Sequence, residues 1–286
     1  MPKLFNTIGI ETSSFCNRKC WFCPNAYFDR GNRQYKYLDI KYIEKIANEL
    51  NDLNYKGRIE LDNYNEPLLD ERLIDIIKLL RLRVPKSCIF LNTNGDYLTL
   101  DLELNLFKAG LTILGINIYD NEQRYQAMVE LAKDVIIQNP KIEFIKNKYR
   151  YFSPKKPKIS ISRMFGEIKN RTNPFTDKLQ NRIGLIPNLK INKKLPLNKV
   201  CVRPFRMMLI DYTGNAILCC NDYFGKIKFG NIKDKTLLEM WNNELLNLYR
   251  LHLQNGKRDL PPCDKCDFDG GAFSWNIPKL NEPLKQ

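Results

Sequence analysis

Cys16-Asn17-Arg18-Lys19-Cys20-Trp21-Phe22-Cys23 places three cysteines within eight residues, in the spacing CxxxCxxC. Soft thiolates gathered this tightly in a short loop suit iron–sulfur chemistry or zinc. Three thiolates can bind a four-iron cluster and leave one iron without a protein ligand, which is an open position for chemistry. Three cysteines cannot pair among themselves as disulfides. Structural zinc asks for a fourth ligand close by, and the only histidine of the chain is His252.

Working outward from the loop, residues 5–12 carry apolar positions at Ile8 and Ile10 and read as a strand that runs into it. Pro24 and Gly31 mark the loop beyond. A helix is expected over about 39–53, where Ile40, Ile43, Ala47 and Leu50 share a face. A second strand follows at 58–63, then a helix with Leu73, Ile76, Ile77 and Leu80 on one side. The third strand, 87–92, ends at the turn signal Asn94-Gly95. Leucines alternate over 98–109 as in a strand, but the context favours a helix. An apolar strand at 111–119, a helix near 121–137 and strands near 141–145 and 158–163 complete the series. Strands alternating with helices indicate parallel βαβ units, here six strands of an open α/β barrel.

The chain beyond residue 200 changes character. Residues 205–211 and 215–219 read as a hairpin about Thr213-Gly214-Asn215, and one helix is expected over about 235–251. Cys201, Cys219, Cys263 and Cys266 supply four further thiolates, enough to fill an iron–sulfur cluster or a zinc site. Cys88 falls in a core strand and reads as a small hydrophobe. Cys220 adjoins a ligand; it could replace Cys219, donate a hydrogen atom, or do nothing, which is favoured.

The chain has 286 residues, nine cysteines, 43% hydrophobic residues and a net charge of +14. That is length for one large α/β domain and a small appendage. Neither a signal-peptide run nor a span of ~20 apolar residues is present, so the cysteines read as reduced ligands in a cytoplasmic protein. The segment 141–199 holds 16 Lys and Arg against three acids, +13 of the net charge. It reads either as a solvated insertion or as a patch for an acidic partner. A phosphorylated or nucleotide-linked small substrate is expected there ahead of nucleic acid, since the segment shows no recognised nucleic-acid-binding fold. Three units follow: a barrel over 1–163, a basic linker over 164–200, and a cluster-binding module over 201–286.

CxxxCxxC with Phe22 before its last cysteine resembles the radical S-adenosylmethionine (SAM) superfamily. The resemblance implies a (β/α)6 partial barrel, with a [4Fe–4S] cluster on Cys16, Cys20 and Cys23 whose open iron chelates SAM. Phe22 then belongs to the cofactor site. Asn65-Glu66-Pro67 stands where the superfamily carries its GGE-type motif, so Glu66 would receive the SAM ammonium, although the usual Gly is Asn65. Asn117 and Tyr119 stand where ribose contacts are usual. The second cysteine set resembles a SPASM domain cut short after Cys266, the α+β twitch form. This implies an auxiliary [4Fe–4S] cluster on Cys201, Cys219, Cys263 and Cys266.

Lys3-Leu4-Phe5, Gly57-Arg58-Ile59, Glu66-Pro67-Leu68-Leu69 and Thr93-Asn94-Gly95-Asp96 are shared, in addition, with the twitch-domain dehydrogenases of aminocyclitols. The likeness covers most of the first 120 residues and returns from Cys201 to Cys266. On that likeness Arg163 and Tyr64 match residues near the substrate, while Asn92 replaces a tyrosine. The implied reaction generates a 5′-deoxyadenosyl radical, which takes hydrogen from a hydroxyl-bearing carbon of a sugar, aminocyclitol or similar small molecule. Loss of a proton, and of an electron to the auxiliary cluster, gives a ketone. A flavodoxin or ferredoxin-type reductant would be the electron source. The competing readings are an epimerase or peptide-modifying radical enzyme, and a zinc or nucleic-acid-binding protein without activity.

Overall fold

The structure, a computed structural model, describes residues 4–30, 35–146, 156–165, 179–187, 189 and 193–270. It opens with β1 (Thr7–Ile10), α1 (Ile40–Asp52), β2 (Arg58–Glu60), α2 (Leu73–Arg83) and β3 (Cys88–Thr93). The series continues with α3 (Leu100–Ala109), β4 (Ile113–Ile118), α4 (Glu122–Gln138), β5 (Glu143–Lys146) and β6 (Lys158–Arg163). Each helix starts where the sequence offers a cap or a charge. Asp39, Thr99 and Asn121 accept backbone N–H bonds at the starts of α1, α3 and α4. The alternating leucines of 98–109 resolve as helix for the same reason. Thr99 caps the start, and Gly110, at φ 109°, closes the end in the left-handed conformation.

The sheet has nine strands in the order β5-β6-β4-β3-β2-β1-β7-β8-β9, where β7 is Met207–Ile210, β8 Asn215–Ile217 and β9 Lys228–Asn231. Six parallel strands, β1 to β6, form the expected α/β sheet, but the last two exchange places. β6 pairs with β4, and β5 lies outside it at the edge. Burial explains the exchange: Ile159 and Ile161 of β6 are fully buried and its Ser160 and Ser162 nearly so. β5 carries only partly buried side chains at Glu143, Phe144 and Ile145, which suits an edge. Four helices, rather than six, alternate with these strands among the described residues.

The module after Cys201 continues the same sheet. β7 lies parallel to β1 in register from Thr7↔Met207 to Ile10↔Ile210, and β8 and β9 add antiparallel strands. The sequence pattern missed β9. The helix expected over 235–251 is two, α5 (Leu237–Trp241) and α6 (Glu244–Gln254). They part at Asn242-Asn243 because the Asn243 side chain accepts from Leu245 N and starts a new helix. Cys88 is buried in β3, as expected of a core residue. No helix of the described residues is long and apolar enough to cross a membrane.

Candidate functional site

The C-terminal ends of β1 to β4 open on one side of the sheet, the usual place for a ligand site in an open α/β sheet. β1 delivers the cysteine loop, β2 the run from Asp62 to Glu66, β3 the turn Thr93–Asp96, and β4 Asn117 and Tyr119. Cys16, Cys20 and Cys23 line a cavity of about 250 Å³ together with Phe22, Tyr64, Glu66, Asn117 and Tyr119. These eight sequence-expected residues therefore meet at one place, and Arg163 is not among them.

The loop is held by polar contacts at both ends. Glu66 N donates to Phe15 O at 2.8 Å and Cys23 N to Cys20 O at 2.8 Å. Arg18, between the first two cysteines, donates to Asp96 (2.7 Å) and Asp120 (3.0 Å) in the turns after β3 and β4. Asn17 donates to Asp96 at 2.7 Å and accepts from Asn94 at 2.8 Å. The turn that offers these groups needs Gly95, at φ 79°, where a Cβ would come within 3.0 Å of Ile116.

Glu66 is nearly fully buried, and its carboxyl accepts from Thr93 Oγ1 (2.7 Å), Asn94 N (2.9 Å) and Leu68 N (3.2 Å). Burial raises its pKa while those donors oppose the rise. Phe22 packs against Tyr119 with ring centroids 5.1 Å apart.

Four thiols line a second, much smaller cavity of about 20 Å³: Cys201, Cys219, Cys263 and Cys266, with Arg203 and Arg258 beside them. Asn221 Nδ2 donates to Cys266 Sγ at 3.4 Å. The buried Arg258 donates to the carbonyls of Lys199 (2.8 Å) and Val200 (3.3 Å), fixing the chain just before Cys201. Cys220 is not part of this lining.

The donor chemistry tests whether clusters fit. Burial pushes Cys16 up to about 12 and Cys20 up to about 11, and neighbouring thiolates add to both rises. Cys263 is likewise pushed up to about 12, by burial and then by Cys201 and Cys266. Thiolates so placed need positive charge among them, which the irons of a cluster supply. In number and kind, three and four soft thiols are the donors such a group takes.

Tyr64 reaches from the first cavity towards the chain beside the second. It lines the first, and its hydroxyl donates to the carbonyl of Cys220, next to Cys219. The guanidinium of Arg30 lies 5.0, 5.4 and 4.9 Å from the rings of Tyr64, Tyr212 and Tyr223, and is paired with the buried Glu11 at the end of β1. Arg182, inside the basic segment, donates to Asn221 Oδ1 at 2.7 Å, and its charge acts on Tyr64 and Cys220.

One expectation changes. Arg163 ends β6 but pairs with Glu122 at 2.6 Å and lies over the Phe165 ring, away from the cavity lining, because the first turn of α4 offers it a carboxylate. Lys155, Lys156 and Lys158 are the basic-segment cations expected to meet a phosphate; Lys156 and Lys158 both pair with Glu143 on the edge strand, at 3.3 and 2.5 Å. Lys155 lies outside the described residues. Arg182, Arg30 and Asp62 were missed. Asp62 carried a signal, an acid two residues beyond Glu60 at the mouth of a parallel strand; Arg182 carried none.

Residues 10–138 match the radical SAM superfamily, and residues 201–267 match an iron–sulfur cluster-binding domain, SPASM. The chain is 27% identical over 276 residues to the S-adenosyl-L-methionine-dependent 2-deoxy-scyllo-inosamine dehydrogenase of Niallia circulans, covering 93% of this chain and 94% of that one. It is similar in fold to the crystal structure of BtrN in complex with AdoMet and 2-DOIA, at TM-score 0.70 and 23% identity, covering 95% and 94% of the two chains. BtrN in an open conformation is similar at TM-score 0.63 and 20% identity, covering 93% and 92%.

Proposed function

The chain is a radical SAM protein with a C-terminal iron–sulfur domain of the SPASM type, and from that premise we propose that it oxidises a hydroxyl group of a small polyol to a ketone. One observation carries the reading. Three thiols line an open cavity of about 250 Å³ at the mouth of the parallel strands, whereas four surround one of only about 20 Å³, and the Tyr64 hydroxyl in the first donates to the carbonyl of Cys220, next to Cys219 of the second. When bound, the first cluster and SAM supply a carbon-centred radical that removes hydrogen, and the second cluster supplies an electron acceptor.

The chain's own residues do the rest. Cys16, Cys20 and Cys23 would hold the first cluster, and Cys201, Cys219, Cys263 and Cys266 the second. Glu66, already fixed by Thr93, Asn94 and Leu68, would orient the SAM ammonium. Phe22, Asn117 and Tyr119 would wall the nucleoside, and Tyr64 would close the substrate side towards Cys220.

The wall supports a substrate of hydroxyl and amino groups rather than the phosphate that the basic segment suggests. Asn63, Asn65, Asn92 and Asn117 are neutral donors and acceptors, and the one cation in the lining among the described residues, Arg18, is held by Asp96 and Asp120. The relative named for 2-deoxy-scyllo-inosamine makes aminocyclitols the first class to try. The electron source would be a flavodoxin or ferredoxin-type protein of the cytoplasm.

The test is anaerobic incubation of reconstituted protein with SAM, dithionite and 2-deoxy-scyllo-inosamine or related polyols. 5′-Deoxyadenosine and a product lighter by two hydrogens are expected. Product of unchanged mass carrying solvent deuterium would instead make the enzyme an epimerase.

A further inference from the structure

Oxidation of an alcohol needs a place for the hydroxyl proton. Two carboxylates line the larger cavity, Glu66 and Asp62. Glu66 is engaged by three separate donors. Asp96 and Asp120 at the rim are held by Arg18, and the buried Glu11 is held by Arg30.

Asp62 differs from all of these. It stands just past the end of β2, half-buried at the cavity wall, with no arginine or lysine hydrogen-bonded to it among the described contacts. Its two oxygens accept from a single neutral residue, Asn92, through the backbone N–H at 2.9 Å and the side-chain amide at 3.1 Å. Asn92 in turn accepts from Asn117 Nδ2 at 3.5 Å. A carboxylate oxygen can accept two hydrogen bonds, so each oxygen of Asp62 keeps capacity for a substrate hydroxyl.

The surroundings tune it for proton transfer. Burial pushes the Asp62 carboxyl up to about 7; Glu60 on the same strand adds to the rise, while Asn92 and Arg58 oppose it. β3 presents only the amide of Asn92, and β4, one strand on, that of Asn117. A base with a pKa near the working pH can both take a proton and return it to solvent.

We propose that Asp62 accepts the substrate hydroxyl proton in the oxidation. The inference rests on the function proposed above. The carbinol C–H bond breaks and its hydrogen atom goes to the adenosyl carbon. The O–H bond then breaks, with the proton passing to a carboxylate oxygen of Asp62. One electron leaves for the auxiliary iron–sulfur cluster as the C=O bond completes. Two hydrogens and their electrons are thereby accounted for.

The experiment uses the reconstituted full chain, 2-deoxy-scyllo-inosamine deuterated at the carbinol carbon, and Asp62→Asn beside wild type. In the variant, deuterium should still pass into 5′-deoxyadenosine while ketone formed per SAM cleaved falls about 10²-fold. A carboxyl infrared band that titrates near pH 7 should be lost with it. The wild-type ketone yield should fall as pH drops through about 7, and Asp62→Glu should restore part of the activity. Unchanged ketone yield and pH profile in Asp62→Asn would overturn the assignment. So would loss of deuterium transfer along with ketone in a variant with full iron content, which would make Asp62 a binding residue. If wild type itself gives neither deuterium transfer nor ketone, the functional reading fails, a separate result.

Discussion

The hydroxyl of Tyr64 donates its hydrogen bond to the carbonyl of Cys220, so one side chain touches both the open three-thiol cavity and the chain beside the closed four-thiol one. The two residues lie 156 positions apart in sequence. The contact fixes the second module against the mouth of the parallel sheet, on the side where a substrate would lie.

Replacing Tyr64 by Phe keeps the ring that packs against Tyr223 at 4.8 Å and removes only the hydroxyl. We expect a loss of about 0.5–1.5 kcal/mol in stability, the net worth of one such bond. Ketone formation should slow more than SAM cleavage. Denaturant titration and product analysis measure the two effects, and equal loss of both activities would place Tyr64 in the SAM site instead.

Arg18 holds the cysteine loop to the turns after β3 and β4 through a forked contact with Asp96 and Asp120. The ions are partly exposed, with side-chain exposures of 18%, 26% and 37%, so solvent screens them. Arg18→Met should cost about 1 kcal/mol in global stability, yet lower iron retention at the first site while leaving the second intact. Arg18→Lys should not restore it, because an ammonium cannot span two carboxylates as a guanidinium fork does. Iron analysis after gel filtration reads the difference.

Stability should also fall as pH rises, through Glu103. This side chain of α3 is fully buried, neither carboxyl oxygen has a hydrogen-bond partner among the described residues, and burial pushes its carboxyl up to about 8. The folded state thus favours the protonated form. Its contribution is fully present below the unfolded value near 4.5 and is lost as pH rises towards about 8. Glu103→Met should flatten that decline and raise stability at pH 8 by about 1–3 kcal/mol. A variant less stable than wild type at pH 8 would show that the carboxyl has a partner after all.

Much of this was legible from local pattern. Three close thiols and a CxxC pair announce soft-metal chemistry, iron–sulfur or zinc, by their spacing, and helical periodicity places α1 and α4 within a residue or two. What local pattern does not encode is who neighbours whom. The Ser-Ile alternation of β6 marks it as a strand, but not that it inserts between β4 and β5. Arg163 sits where a substrate-facing arginine was expected, and a carboxylate 41 positions earlier, Glu122, takes it. Arg182 looks like any residue of a basic run until the fold brings Asn221 and Tyr64 to it.

Cys263→Ala separates the roles of the two thiol sets. With Cys201, Cys219 and Cys266 left at the second site, the variant should retain iron there less firmly, losing up to half of the roughly eight irons expected for two clusters. SAM cleavage should persist while ketone formation fails. Loss of both in a folded variant would make the second cluster a structural element.

The central claim is two-electron oxidation begun by hydrogen abstraction, and one mass-spectrometric measurement tests it directly. Reconstituted protein is incubated anaerobically with SAM, reductant and carbinol-deuterated 2-deoxy-scyllo-inosamine. The account predicts 5′-deoxyadenosine carrying the substrate deuterium together with a ketone in matching amount. SAM left intact by protein of full iron content, or 5′-deoxyadenosine formed without ketone from any polyol tried, would contradict it.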